Sequence, residues 1–137
     1  MGLFKKVLIA NRGEIATRVI RACKELDIPT VAIYSEEDAT SLYVKKADES
    51  YMVGPGPIHV YLNIHRLVDL ATNVGVDAIH PGYGFLSENP RFPQLCEKKG
   101  ITFIGPTSKT IAEMGDKVMA RKMMKKAGVP ILPGTEG

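Results

Sequence analysis

The chain has 137 residues, with 18 basic and 15 acidic side chains that leave a net charge of +3. Hydrophobic residues make up 45% and charged residues 24%, an ordinary globular composition that fits one domain with a sizeable core. The charge is too mild to argue for nucleic acid or a membrane surface, and no apolar run approaches the ~18 residues that span a bilayer.

Val7-Leu8-Ile9-Ala10 is a short continuous apolar run, the pattern of a central parallel strand buried on both faces. Gly13 turns the chain, and a helix follows over 14–26, with Ile15, Val19, Cys23 and Leu26 at helical spacing. Pro29 stops it. The β-branched stretch 30–34 is a second strand, 35–46 a polar loop with a short helix, and 50–53 a brief third strand stopped by Gly54-Pro55-Gly56-Pro57. A helix over 63–73 buries Ile64, Leu67, Val68 and Ala71 and ends at Gly75. The fourth strand, 76–79, leads into a loop and a helix over 90–99, with Pro90 at its first position and Gly100 as its stop. A fifth strand spans 101–104. Short and longer helices follow over 109–114 and 117–127, and Gly128 and Pro130 end the latter. Strands alternating with helices give a Rossmann-like, three-layer α/β domain with a mainly parallel sheet. Residues 1–115 are assigned to this domain and 116–137 to a helix and linker leading onward.

Cys23 and Cys96 lie on apolar faces of their helices. Two buried thiols imply a reduced, cytoplasmic setting rather than a disulfide framework. Met1 stands just before the first strand without a transit-like segment, which points to a bacterial or archaeal cytoplasmic protein.

Three motifs carry chemistry. Asn11-Arg12-Gly13-Glu14-Ile15-Ala16 occupies the first strand-to-helix turn, where a dinucleotide-binding domain has Gly-x-Gly-x-x-Gly. One glycine remains, and Glu14 in the first helical turn would repel a pyrophosphate. A structural turn with Arg12 and Glu14 in polar contacts is the favoured reading. In the second motif, His80-Pro81-Gly82-Tyr83-Gly84-Phe85-Leu86-Ser87-Glu88-Asn89, chain-bending residues flank an exposed aromatic, Tyr83, at a strand's carboxyl end. Open α/β sheets bind ligands there. On the residues alone a ligand-side loop and a tight turn capped by Ser87 or Asn89 are balanced. His80 is expected beneath the loop, bonded through one ring nitrogen, and no second ligand stands at a metal-binding spacing. The third motif is Met114-Gly115-Asp116-Lys117. Asp116 is a good N-cap, and Lys117 in the first turn is a candidate phosphate ligand or a solvated lysine. Arg121, Lys122, Lys125 and Lys126 make the last helix basic, as suits a helix entering another domain.

Together these motifs, with Arg21-Ala22-Cys23-Lys24-Glu25-Leu26, Ala47-Asp48-Glu49, Tyr61-Leu62-Asn63, Phe103-Ile104-Gly105-Pro106 and Lys125-Lys126-Ala127-Gly128-Val129-Pro130, resemble biotin carboxylase along the whole chain and in the family's order. The resemblance implies an ATP-grasp ligase in which MgATP and bicarbonate form carboxyphosphate and the carboxyl group passes to biotin on a carrier. It implies that Lys117 contacts ATP phosphates, that Tyr83 and Gly84 border the biotin pocket, and that Glu88 stands behind them. Homodimers in the family use the first helix, which makes Arg18, Arg21 and Glu25 interface candidates. A carboxyl carrier and a carboxyltransferase component are the implied partners; nucleic acid and membrane are not. The family's glycine-rich lid, adenine-gripping residues, metal-binding glutamates and catalytic arginine lie beyond Gly137. The expectation is therefore that ATP, Mg and biotin serve the full-length parent, while the 137-residue chain binds none of them tightly and is catalytically silent. Another ATP-grasp ligase of the carbamoyl phosphate synthetase type and a non-catalytic dimerisation module are the alternatives.

Overall fold

A computed structural model describes residues 4–55 and 58–115. Five strands, β1 (Val7–Ile9), β2 (Thr30–Ser35), β3 (Glu49–Gly54), β4 (Ala78–His80) and β5 (Thr102–Phe103), form one sheet in the order β3-β2-β1-β4-β5. Each neighbouring pair is parallel. The helices are α1 (Gly13–Glu25), α2 (Leu42–Lys46), α3 (Ile64–Val74), α4 (Arg91–Lys98) and α5 (Ser108–Gly115). Short 3₁₀ turns cover Glu36–Asp38, Ile58–Leu62 and Phe85–Glu88.

The continuous apolar strands are explained by helices on both faces. Leu8, Ala10, Val31, Ile33 and Ile79 pack with α3 and α4 through Leu67, Val68, Ala71, Phe92 and Cys96. Alternate residues Ile9 and Ala32 face α1 and α2 through Ala16, Ile20 and Tyr43, and Val7 and Ala78 meet Cys23 and Ile28. The two cysteines are free and buried in separate clusters, so no bridge joins them. Burial pushes the Cys96 thiol up to about 11 and raises Cys23 as well.

Boundaries differ from the expected ones for local reasons. Asp27 stops α1 two residues ahead of Pro29. It adopts φ +57°, while Asp27 N–H donates to the Lys24 carbonyl at 3.1 Å and Ile28 N–H to that of Cys23 at 2.9 Å. This is the paired arrangement of a Schellman cap, usually built on glycine. Gly75 and Gly100 close α3 and α4 the same way, and each draws in the next residue: Val76 N–H donates to the Ala71 carbonyl and Ile101 N–H to that of Cys96. Val76 and Ile101 therefore belong to the caps, and β4 and β5 start later than the apolar runs do. At its other end β4 takes in His80, which pairs with Ile9. Pro90 is the N-cap of α4 rather than its first residue, and it already has helical backbone angles (φ −68°, ψ −17°).

Candidate functional site

Connections from β1 and β4, the adjacent central strands, leave toward opposite faces of the sheet: α1 covers one, α4 the other. This is a topological switch point, and the crevice outside the carboxyl ends of the two strands is where such sheets bind ligands. Both the Asn11 turn and the Tyr83 loop rise from it. The strand pairing is extended there by one bond, from Ala10 N–H to the His80 carbonyl at 2.8 Å.

Asn11 is fully buried. Its Nδ2 donates to the Pro81 carbonyl at 2.9 Å and to the Tyr83 carbonyl at 2.7 Å, while its Oδ1 accepts from Arg12 N–H at 2.8 Å. From the other side Gly82 N–H donates to His80 Nδ1 at 3.0 Å, so His80 is bonded through one ring nitrogen as expected. Burial holds the His80 pKa below its ordinary value and favours the neutral ring whose Nδ1 can accept. Gly82 has φ +67°, and a Cβ on it would come within 2.7 Å of Asn11 Nδ2 and 2.8 Å of Ile15 Cγ2. Only glycine lets the loop approach the turn this closely.

On this anchored backbone Tyr83 is 69% exposed. Gly84 follows at φ +63° and begins the 3₁₀ turn, its carbonyl accepting from Ser87 N–H at 2.9 Å and Ser87 Oγ at 2.7 Å. Glu88 is exposed at the end of that turn. Of the two residues expected to cap α4, Ser87 bonds back into the loop, and Asn89 Oδ1 accepts from Arg91 N–H at 2.9 Å.

Arg12 makes the polar contact expected of it, and Asp38 is its partner. Nε lies 2.7 Å from Oδ2 and Nη2 2.6 Å from Oδ1. Asp38 also accepts from the Tyr61 hydroxyl. Tyr61 in turn accepts from Ser35 N–H at 2.8 Å, and Tyr43 Oη lies 3.0 Å from Tyr61 Oη and 2.9 Å from the Ile33 carbonyl. Hydrogen bonding to Arg12 holds the Asp38 carboxyl below its usual range and Arg12 above its own. Burial, reinforced by Tyr61 and Asp38, pushes the Tyr43 phenol up. Glu14 is exposed, and the salt bridges among the described residues do not include it.

Arg18, Arg21 and Glu25 are exposed along α1, beside Leu26 at 64% exposure. An apolar groove of about 410 Å³ runs along this helix past Ile15, Val19, Ala22 and Leu26 to His80 and Tyr83. Lys117 and the helix expected over 117–127 lie outside the described residues. Among the described residues no three His, Cys, Asp or Glu side chains converge on a metal position, and no helix is long and apolar enough to cross a membrane.

The model of the biotin carboxylase N-terminal domain matches residues 3–111. The chain belongs to the biotin carboxylase N-terminal domain family. It is 64% identical over 98% of its length to the 2-oxoglutarate carboxylase small subunit of Hydrogenobacter thermophilus, and 56% identical, again over 98%, to a biotin carboxylase of Halalkalibacterium halodurans. It spans 29% and 30% of those relatives. The biotin carboxylase domain dimer of the Hydrogenobacter enzyme, solved with MgADP, ADP and bicarbonate, superposes with a TM-score of 0.90 at 63% identity, covering 100% of this chain and 30% of that one. The α/β parallel sheet read from the sequence is the fold of this family.

The sequence assigns no site role to Asn11 or Asp38, and Tyr61 enters it only within the matching stretch Tyr61-Leu62-Asn63. For Asn11 a signal exists: a short amide directly after a strand buried on both faces enters the crevice, where its polar atoms need partners. Asp38 lies in a polar stretch that gives no such signal, and the stretch around Tyr61 does not show what its hydroxyl meets.

Proposed function

We propose that this chain is the amino-terminal part of a biotin carboxylase, which uses MgATP and bicarbonate to carboxylate carrier-bound biotin. The observation that carries this reading is the family match over residues 3–111 in a chain whose Tyr83 loop stands at the switch point of its sheet. In this reading Tyr83 and Gly84 border the biotin ring, Glu88 supports them from the 3₁₀ turn, and Lys117 binds ATP phosphates. The ADP, magnesium and bicarbonate held by the Hydrogenobacter relative support the choice of substrates. Magnesium ligands come from parts of the parent other than the residues described. The partners are a biotin carboxyl carrier and a carboxyltransferase component. A second copy docks on α1 through Arg18, Arg21 and Glu25, a role supported by the relative's description as a domain dimer and by the exposure of these side chains. A reducing cytoplasm suits the two buried thiols.

The 137-residue chain by itself is catalytically silent. With MgATP, bicarbonate and free biotin it releases no ADP above background, whereas the full-length parent does so in a biotin-dependent manner that Lys117→Ala abolishes. ADP release by the isolated chain, abolished by Lys117→Ala, would overturn its silence. A full-length protein without biotin-dependent turnover would overturn the function.

A further inference from the structure

We infer that Asn11 and His80 are positioning residues of the biotin-facing loop, fixing its backbone so that Tyr83 and Gly84 are presented in one arrangement before biotin arrives. This rests on the proposal that Tyr83 and Gly84 border biotin. Three successive residues are each held by a side chain from the strand ends beneath them. The Pro81 carbonyl takes one Asn11 N–H, the Gly82 N–H is taken by His80 Nδ1, and the Tyr83 carbonyl takes the second Asn11 N–H. The two anchors have opposite polarity, so neither can replace the other. Asn11 must supply two donors, which among short side chains only an amide does. His80 must supply an acceptor, which requires an unprotonated Nδ1.

The contrast between the loop's backbone and its side chain points to a ligand. Tyr83 is 69% exposed, yet its carbonyl is tied to an asparagine with no exposure at all. A turn that merely redirected the chain into α4 would have no use for a large aromatic ring held outward on a fixed backbone. Gly82 completes the device, because its missing Cβ lets the loop descend onto Asn11 and Ile15. A loop ordered in advance spares the ligand the entropy of ordering it, so loss of the anchors falls on biotin affinity.

Asn11→Asp keeps the shape but turns both donors into acceptors facing two carbonyls. His80→Leu removes the acceptor, and His80→Asn returns one near the Nδ1 position. The test is steady-state kinetics of the full-length carboxylase with free biotin, MgATP and bicarbonate. Asn11→Asp and His80→Leu are expected to raise the KM for biotin by roughly 10- to 100-fold, the scale of a displaced contact. The KM for MgATP stays within about twofold, since one loop is displaced and the rest of the fold is kept. His80→Asn recovers most of the loss. Unchanged biotin KM in both damaging variants, or biotin and MgATP KM values rising together, overturns the positioning role. Where Asn11→Asp fails to fold, Gly82→Ala makes the same test from the loop side, since its Cβ would lift the loop off Asn11. A wild-type enzyme without biotin-dependent turnover overturns the functional reading, and the positioning role falls with it. An active wild type with indifferent variants overturns the positioning role alone.

Discussion

Replacing Asp38 with asparagine removes one charge from the Arg12–Asp38 pair while keeping the side chain's size. The pair has two short N–H···O bonds, 2.7 and 2.6 Å, and the Asp38 side chain is only 7% exposed. Breaking a buried pair by removing one partner costs about 3–5 kcal/mol. Arg12 is 37% exposed and regains some hydration, which places the loss near the lower end, about 3 kcal/mol. At roughly 3–4 °C per kcal/mol for a domain of this size, the melting temperature at pH 7 falls by about 10 °C. Arg12 lowers the folded-state pKa of Asp38, so the stabilisation is fully present above the unfolded carboxyl value of about 3.9 and is lost as pH falls through the lowered folded value. Thermal unfolding followed by circular dichroism therefore shows a constant gap between wild type and Asp38→Asn from pH 5 to 8, narrowing below about pH 4. A gap under about 2 °C at pH 7, or one of equal size in acid, would refute the electrostatic role given to this pair.

Asp27→Gly relieves a left-handed residue at φ +57°; the gain of about 1 kcal/mol is partly offset by glycine's extra freedom when unfolded, leaving a rise in melting temperature of about 2 °C. Leu67→Ala in α3 empties a site with no exposure, costs about 3 kcal/mol and lowers the midpoint of urea unfolding without changing its slope. The raised pKa values of Cys23 and Cys96 predict that a thiol reagent such as dithionitrobenzoate reacts with neither in the native chain at pH 8 and with both after denaturation; rapid native labelling would contradict their burial.

Much of the sheet was legible because its strands are buried on both faces. Runs such as Val7 to Ala10 need no alternation to be recognised, and the stripes on α1 and α3 carry helical spacing. Strand boundaries shift where helix caps and strands compete for the same apolar residue. Val76 and Ile101 look like strand residues by composition, yet their N–H groups close the preceding helices. In the candidate site, the Tyr83 loop could be found from its glycines and its place after a strand. Its anchor could not, because Asn11 meets Pro81 and Tyr83 across 70 and 72 positions. The same holds for Arg12 and Asp38, 26 apart, and for Tyr61 and Asp38, 23 apart. Local spacing reports periodicity, whereas these bonds depend on which strands become neighbours in the sheet.

The sheet order also gives the missing phosphate cradle a physical meaning. In a dinucleotide-binding turn the first glycine makes a tight bend, the second admits the pyrophosphate, and the third allows close packing of helix on strand. Matched on Gly13, the third position here is Ala16, fully buried against the sheet, which keeps the close packing. The first position is Asn11, whose side chain bonds the neighbouring loop across the crevice. The adjacent Arg12 is engaged by Asp38, and the first helical turn carries Glu14. A pyrophosphate entering this turn would meet a carboxylate and no free cation from Arg12, so nucleotide binding is disfavoured on charge as well as shape. This structural turn is thus the foundation of the Tyr83 loop. One crevice of the sheet has exchanged a backbone cradle for phosphate for a side-chain anchor that holds an aromatic loop outward.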